Sequence, residues 1–168
     1  APLSTVSDAG VHGGATLTAT VVLAFVFLAL LGWVVFALGR AWFDPWVGAL
    51  AALIVLTRRP VLDFGARAYI DIPYLVLVLG ALLLETRRPR AGLPVLGLLA
   101  VAGLIRPEAW LFSGAYVLCL IWKGERDPAR LAALIGVAAL GPLLWALSDW
   151  AIAGSPLHSL TGTRDTAD

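Results

Sequence analysis

Three stretches of this sequence set arginines beside carboxylates and hydroxyls in otherwise apolar surroundings: Arg58 to Asp71 (RRPVLDFGARAYID), Arg106 to Trp110 (RPEAW) and Gly154 to Asp165 (GSPLHSLTGTRD). A guanidinium presents a planar fork of donors that fits two phosphate oxygens, and a carboxylate accepts a proton or holds a sugar hydroxyl. Together these groups suit a site for a phosphorylated lipid, with Arg67, Asp71, Arg106, Glu108, His158 and Arg164 as candidate substrate-binding residues. No residue is assigned as the catalytic group, and Asp71 is a pocket candidate.

Each motif also has a purely structural reading. Arg67 and Asp71 are four apart and share a face if the segment is helical, yet Asp71 equally suits the cap of a helix starting near Pro73, with Arg67 as a surface partner. Arg106, Pro107 and Glu108 interrupt an apolar stretch running from Ala91 to Trp122, which is too long for one straight span. There Pro107 would start a helix, Glu108 would sit at its positive end, and Arg106 would reach for the membrane surface. A charge pair at a helix break is also a common way to build a polar site within a membrane.

No cofactor is expected. His12 and His158, with Asp8 or Asp165, could be imagined around a divalent ion, but no ligand spacing supports a metal site. The sequence has no glycine-rich phosphate loop and no nucleophile elbow. Its single cysteine, Cys119, lies in an apolar run and reads as a small core residue.

The elements that must position these groups follow from composition. Of 168 residues, 60% are hydrophobic and 14% charged, with a mean hydropathy of +0.90, against about 45–50% and 25% in ordinary soluble domains. A soluble globule of this length cannot hide so much apolar side chain, so lipid is the expected solvent. The net charge of +1 provides no field for nucleic acid. Uncharged runs at 9–39, 45–57, 72–84, 91–105, 109–122 and 131–148 lack the alternation of membrane strands and predict helices. The expected fold is an all-α polytopic transmembrane helical bundle, with spans at about 16–39, 45–59, 72–86, 92–106, 108–123 and 129–151 and no separate soluble domain. Pro45, Pro73, Pro94, Pro107 and Pro128 mark expected helix starts, and Pro142 an expected kink. The absence of methionine suggests an internal fragment, and the preference for arginine over lysine a bacterial source.

Counting basic residues on alternate connectors gives an orientation. Arg40, Arg87, Arg88, Arg90, Lys123, Arg126 and Arg130 fall on one side, assigned to the cytoplasm; Arg58, Arg59, Arg67, Arg106 and Arg164 fall on the other. The three polar stretches then share the extracytoplasmic face and should gather around one cavity. Trp42, Trp46 and Trp122 would mark the inner interface and Trp110, Trp145 and Trp150 the outer one. Gly80, Gly97, Gly103 and Gly136 are candidates for close helix packing.

The order of these pieces, from about Thr16 to Trp110, resembles the GT-C superfamily of membrane glycosyltransferases, specifically the bacterial relatives of protein O-mannosyltransferases and aminoarabinose transferases in glycosyltransferase family 39. The likeness rests on the long first span, the short span ending near Arg58, Asp71 in ARAYID, the ETRRPR turn and GLLAVAGLIRPEAW. It implies an inner-membrane, multi-pass enzyme that transfers a sugar from a polyprenyl-phosphate carrier to a glycan, lipid or protein acceptor on the extracytoplasmic side. Arg106 and Arg67 match in type the need for a cation at the departing phosphate. Asp71 matches the carboxylate, although the family's principal catalytic acid lies in a loop upstream of the first span. The alternative function is a multipass transporter or flippase segment, which would instead place polar positions at mid-membrane in repeated halves.

Overall fold

A computed structural model describes residues 5–59, 61 and 70–153, and side chains from residue 18 onward. The described residues form six helices and no strand: α1 (Thr5–Trp42), α2 (Pro45–Thr57), α3 (Asp71–Arg87), α4 (Leu93–Ile105), α5 (Glu108–Trp122) and α6 (Pro128–Ala153). Two of them, over Thr18–Trp42 and Pro128–Ile152, are long and apolar enough to cross a membrane. At 1.5 Å per residue, α4 and α5 are only about 20 Å long, short of the roughly 30 Å hydrocarbon core. The chain divides into two compact units, residues 1–79 and 80–168, the boundary falling inside α3.

Prolines and glycines set the helix ends. Pro45 and Pro128 are the first residues of α2 and α6, Pro94 lies in the first turn of α4, and Pro107 precedes α5. Pro73 sits two residues inside α3, which already begins at Asp71. Arg106 ends α4 because a residue before proline is pushed out of the helical region, and its φ and ψ of −142° and 129° are extended. At the end of α5, Gly124 takes the left-handed φ of 97°; its amide donates to Ile121 and that of Glu125 to Leu120, both at 3.0 Å, which closes the helix in a Schellman motif. Helix α6 continues through Pro142.

In the first unit, α1 and α2 form an antiparallel hairpin around Gly39 and Gly48. A Cβ on Gly39 would lie 2.6 Å from the Gly48 Cα, and one on Gly48 would lie 2.6 Å from the Phe36 carbonyl oxygen. Leu28 and Leu31 of α1 bury against Ile72 at the start of α3, with Val55 of α2 packed alongside. In the second unit, Leu96, Val117, Leu120 and Leu134 make a core shared by α4, α5 and α6. There α4 and α6 run parallel, because Gly92 faces Leu134 while Gly103 faces Gly141.

Of the four glycines expected at close contacts, only Gly103 makes one. Gly80, Gly97 and Gly136 face open space, and the tight approaches use Gly39, Gly48 and Gly141 instead. The helices are apolar on all sides, so sequence carries no mark of which face turns inward. Cys119 is half-buried rather than a core residue.

Gly48→Ala should therefore destabilise the α1–α2 hairpin by roughly 1–3 kcal/mol, the usual range for overpacking. Gly97→Ala and Gly136→Ala should be neutral or stabilising, since alanine favours a helix by up to about 1 kcal/mol. Unfolding curves of the purified variants in mild detergent, titrated with a denaturing one, provide the comparison, and equal losses in all three would contradict this packing.

Candidate functional site

Of the sequence-derived candidates, Arg67, His158 and Arg164 lie outside the described residues, as do most of the polar stretches at 58–71 and 154–165. The expected gathering of all three stretches around one cavity falls there too. Asp71 is the first residue of α3, in the first unit, where a carboxylate is favoured by the positive end of the helix. Arg106 and Glu108 belong to the second unit.

The α4–α5 corner is built by its own backbone. The Arg106 amide donates to Ala102 at 2.9 Å, and the Arg106 carbonyl accepts from Ala109 at 3.2 Å. The Pro107 carbonyl accepts from Trp110 at 3.0 Å. Glu108 opens α5 and is exposed, and Arg106 is half-buried.

Trp110 locks this corner to α6. Its indole Nε1 donates to the Gly103 carbonyl at 3.1 Å, and its ring occupies the space that side chains on Gly103 or Gly141 would take. Trp145 packs edge-on against it, with ring centroids 5.9 Å apart. These two tryptophans are packed within the unit, whereas Trp150 is 63% exposed. The Trp145 Nε1 is buried with no hydrogen-bond acceptor among the described residues. Asp149, one turn further along α6, is buried. It lies about 12 Å beyond Gly141 along the helix, and Gly103 faces Gly141 only three residues before Arg106, so Asp149 belongs to the Arg106 end of the unit. Asp149 is not among the sequence-derived candidates; the signal for it is a lone acid closing an apolar run of eighteen residues.

The other end of the unit holds a network that sequence reading missed. Tyr116 Oη donates to Glu85 Oε2 at 2.5 Å and accepts from the Gly92 amide at 3.0 Å. The Glu85 carboxylate also accepts from the amides of Arg90 (2.9 Å) and Ala91 (3.3 Å). One acid therefore satisfies the turn that follows its own helix. The partners are far apart in sequence, and only the α3–α4 turn and the packing of α5 bring them together.

No metal-binding cluster of His, Cys, Asp or Glu occurs among the described residues. No protein family, curated protein or solved structure matches this chain.

A double-mutant cycle with Glu85→Gln and Tyr116→Phe should return a coupling of about 1.5–3 kcal/mol, the worth of a hydrogen bond to a charged acceptor. Detergent unfolding of the four proteins gives that number. Additive effects would mean that the phenol and the carboxylate act separately.

Proposed function

We propose that this chain is part of a multi-pass enzyme of the inner membrane that transfers a sugar from a polyprenyl-phosphate carrier to an extracytoplasmic acceptor. In this reading all six helices are membrane helices in one bundle, with the Arg106 end facing outward. The breadth of exposed apolar surface supports the membrane placement. Phe25, Trp46, Leu111, Leu118, Trp122 and Ile152 are each more than 60% exposed, and water would tolerate such a surface poorly. The short α4 and α5 are accommodated because Arg106 and Lys123, at their ends, can extend toward the headgroups.

Arg106 carries the functional reading. It stands half-buried at the break between two apolar helices, at the end of the unit that also holds the buried Asp149. When a sugar leaves a lipid phosphate, negative charge moves from the glycosidic oxygen onto the phosphate, and a cation fixed in a poorly solvated place stabilises that charge without reorganising. Arg106 is suited to bind the departing phosphate, and Arg67 is its proposed companion. Asp71, Glu108, His158 and Arg164 are proposed to line the donor and acceptor path, with the acceptor a hydroxyl of a glycan, lipid or protein. The likeness of the RPEAW and ARAYID stretches to family 39 enzymes supports the same assignment.

Topology is tested first. With Cys119 replaced by serine, cysteines introduced at Arg88 and Gly124 should react with an impermeant reagent only from the cytoplasmic side, and one at Glu108 only from outside. Reaction of all three from one side would overturn the six-helix bundle.

For activity, Arg106→Ala in the full-length protein should lower sugar transfer from a polyprenyl-phosphate donor by about 10²-fold or more, as expected for loss of one such electrostatic contact. Arg106→Lys should recover only part, since it retains the charge but not the two-pronged geometry. Glu108→Gln should be milder if the side chain serves only the helix end, an effect of roughly 0.3–1 kcal/mol. Donor turnover in liposomes, normalised to folded protein, is the measurement. Full turnover by well-folded Arg106→Ala would remove the phosphate role.

A further inference from the structure

Two turns of the second unit lie side by side at the end opposite Arg106: residues 88–92 between α3 and α4, and residues 123–127 between α5 and α6. Arg130 joins them. Its Nη2 donates to the Arg90 carbonyl at 3.2 Å, while its Nη1 pairs with Glu125 at 2.9 Å.

The carboxylates at this end are all engaged within the fold. Glu85 accepts from Tyr116, Arg90 and Ala91, Glu125 holds Arg130, and Asp127 accepts from the Ala129 amide at 3.2 Å. The side chains of Arg88, Arg90, Lys123 and Arg126 are exposed and make no ion pair among the described residues. Four cations on two adjoining turns are therefore left without internal compensation.

The first turn is held in a costly shape. Arg90 has a φ of 63°, a left-handed value that side chains other than glycine's rarely adopt, and the Glu85 carboxylate pins its amide there. Below the cations the surface turns apolar at once: Trp122, next to Lys123, is 88% exposed, and Leu118, one turn back, is 68% exposed. A cationic rim above an exposed tryptophan and leucine matches the layered chemistry of a bilayer surface, phosphate outside and acyl chain beneath. A soluble polyanion would satisfy the rim and leave the apolar flank in water.

We propose that Arg88, Arg90, Lys123 and Arg126 form a binding surface for the phosphodiester headgroups of anionic phospholipids. The surface depends on the membrane placement proposed above and is independent of sugar transfer.

Full-length protein in a neutral maltoside detergent, titrated with phosphatidylglycerol or phosphatidylcholine and read by native mass spectrometry, tests it. The wild type should prefer phosphatidylglycerol by roughly tenfold or more. The quadruple variant Arg88→Gln, Arg90→Gln, Lys123→Gln, Arg126→Gln should lose that preference with its helicity unchanged. The charge-conserving set Arg88→Lys, Arg90→Lys, Arg126→Lys should keep it, as should Arg58→Gln with Arg59→Gln. Equal affinity of the wild type for both lipids, or a preference that survives in the glutamine variant, would overturn the proposal. Displacement of the lipid by an equal concentration of glycerol phosphate would also overturn it, naming a soluble phosphate as the ligand. Resistance to alkaline extraction from phosphatidylcholine vesicles is measured in parallel: insertion without lipid preference overturns only this surface, and failure to insert overturns the membrane placement with it.

Discussion

Because the flanks of these helices are apolar, every backbone group released at a helix end has to be satisfied within a few residues, and that constraint shapes the four described turns, α1–α2, α3–α4, α4–α5 and α5–α6. Each turn meets it with different residues. Asp44 accepts from the Val47 amide at 2.8 Å, so the α1–α2 hairpin closes in two residues. Gly124 allows the end of α5 to fold its last amides back onto its own carbonyls. At the α4–α5 corner the carbonyls of Arg106 and Pro107 serve the first free amides of α5. Among the described turns, the α3–α4 turn relies on a distant group, the Tyr116 hydroxyl, and there a non-glycine residue takes a left-handed conformation. The strained turn among those described is thus one with an outside partner to hold it.

Short turns force consecutive helices together, and small residues decide how closely. Gly39 and Gly48 let two backbones meet in the first unit. In the second unit the corresponding space between α4 and α6 is filled by the ring of Trp110, reaching over from α5. The same residue type therefore serves two ends: backbone contact in one unit, and a socket for an aromatic wedge in the other. A wedge that also donates to the Gly103 carbonyl ties three helices together at the Arg106 corner.

The helices were legible in the sequence because charges and prolines interrupt long apolar runs, and Pro45, Pro107 and Pro128 stand within a residue of the observed starts. Helix α1 extends well upstream of its expected start, through Asp8 and His12 and also through Gly10, Gly13 and Gly14, whose low helix propensity does not end it. Which glycines meet a neighbour was not legible. Gly97 and Gly103 sit in the same helix among the same residue types, and a helix apolar all round has no polar face to reveal its orientation. The Glu85–Tyr116 pair was hidden for a related reason. It depends on how α5 sits against the α3–α4 turn, a tertiary register that spacing along the chain does not encode. Arg106 is visible because it breaks a pattern, whereas the buried Asp149 stands in the sequence as one charge at the end of an apolar run.

The two ends of the second unit are polar in opposite senses. Helix α5 begins with Glu108 and is followed by Lys123, so its fixed charges complement its own dipole and give the unit an acidic start and a basic finish along that axis. At the basic finish the cations point outward while the carboxylates are tied into turns. At the Arg106 end the arrangement is reversed: an arginine is half-buried, an aspartate is buried and two tryptophans are packed inward. Buried charge has to be partnered, and Arg106 and Asp149 are both engaged within the fold, whereas exposed cations need no partner. In the proposed function the Arg106 end is where the donor phosphate is held, and in the proposed lipid surface the outward-facing cations meet the headgroups. Helices α4 and α5, which separate the two ends, are about 20 Å long, roughly two Debye lengths, so neutralising one end leaves most of the field at the other intact.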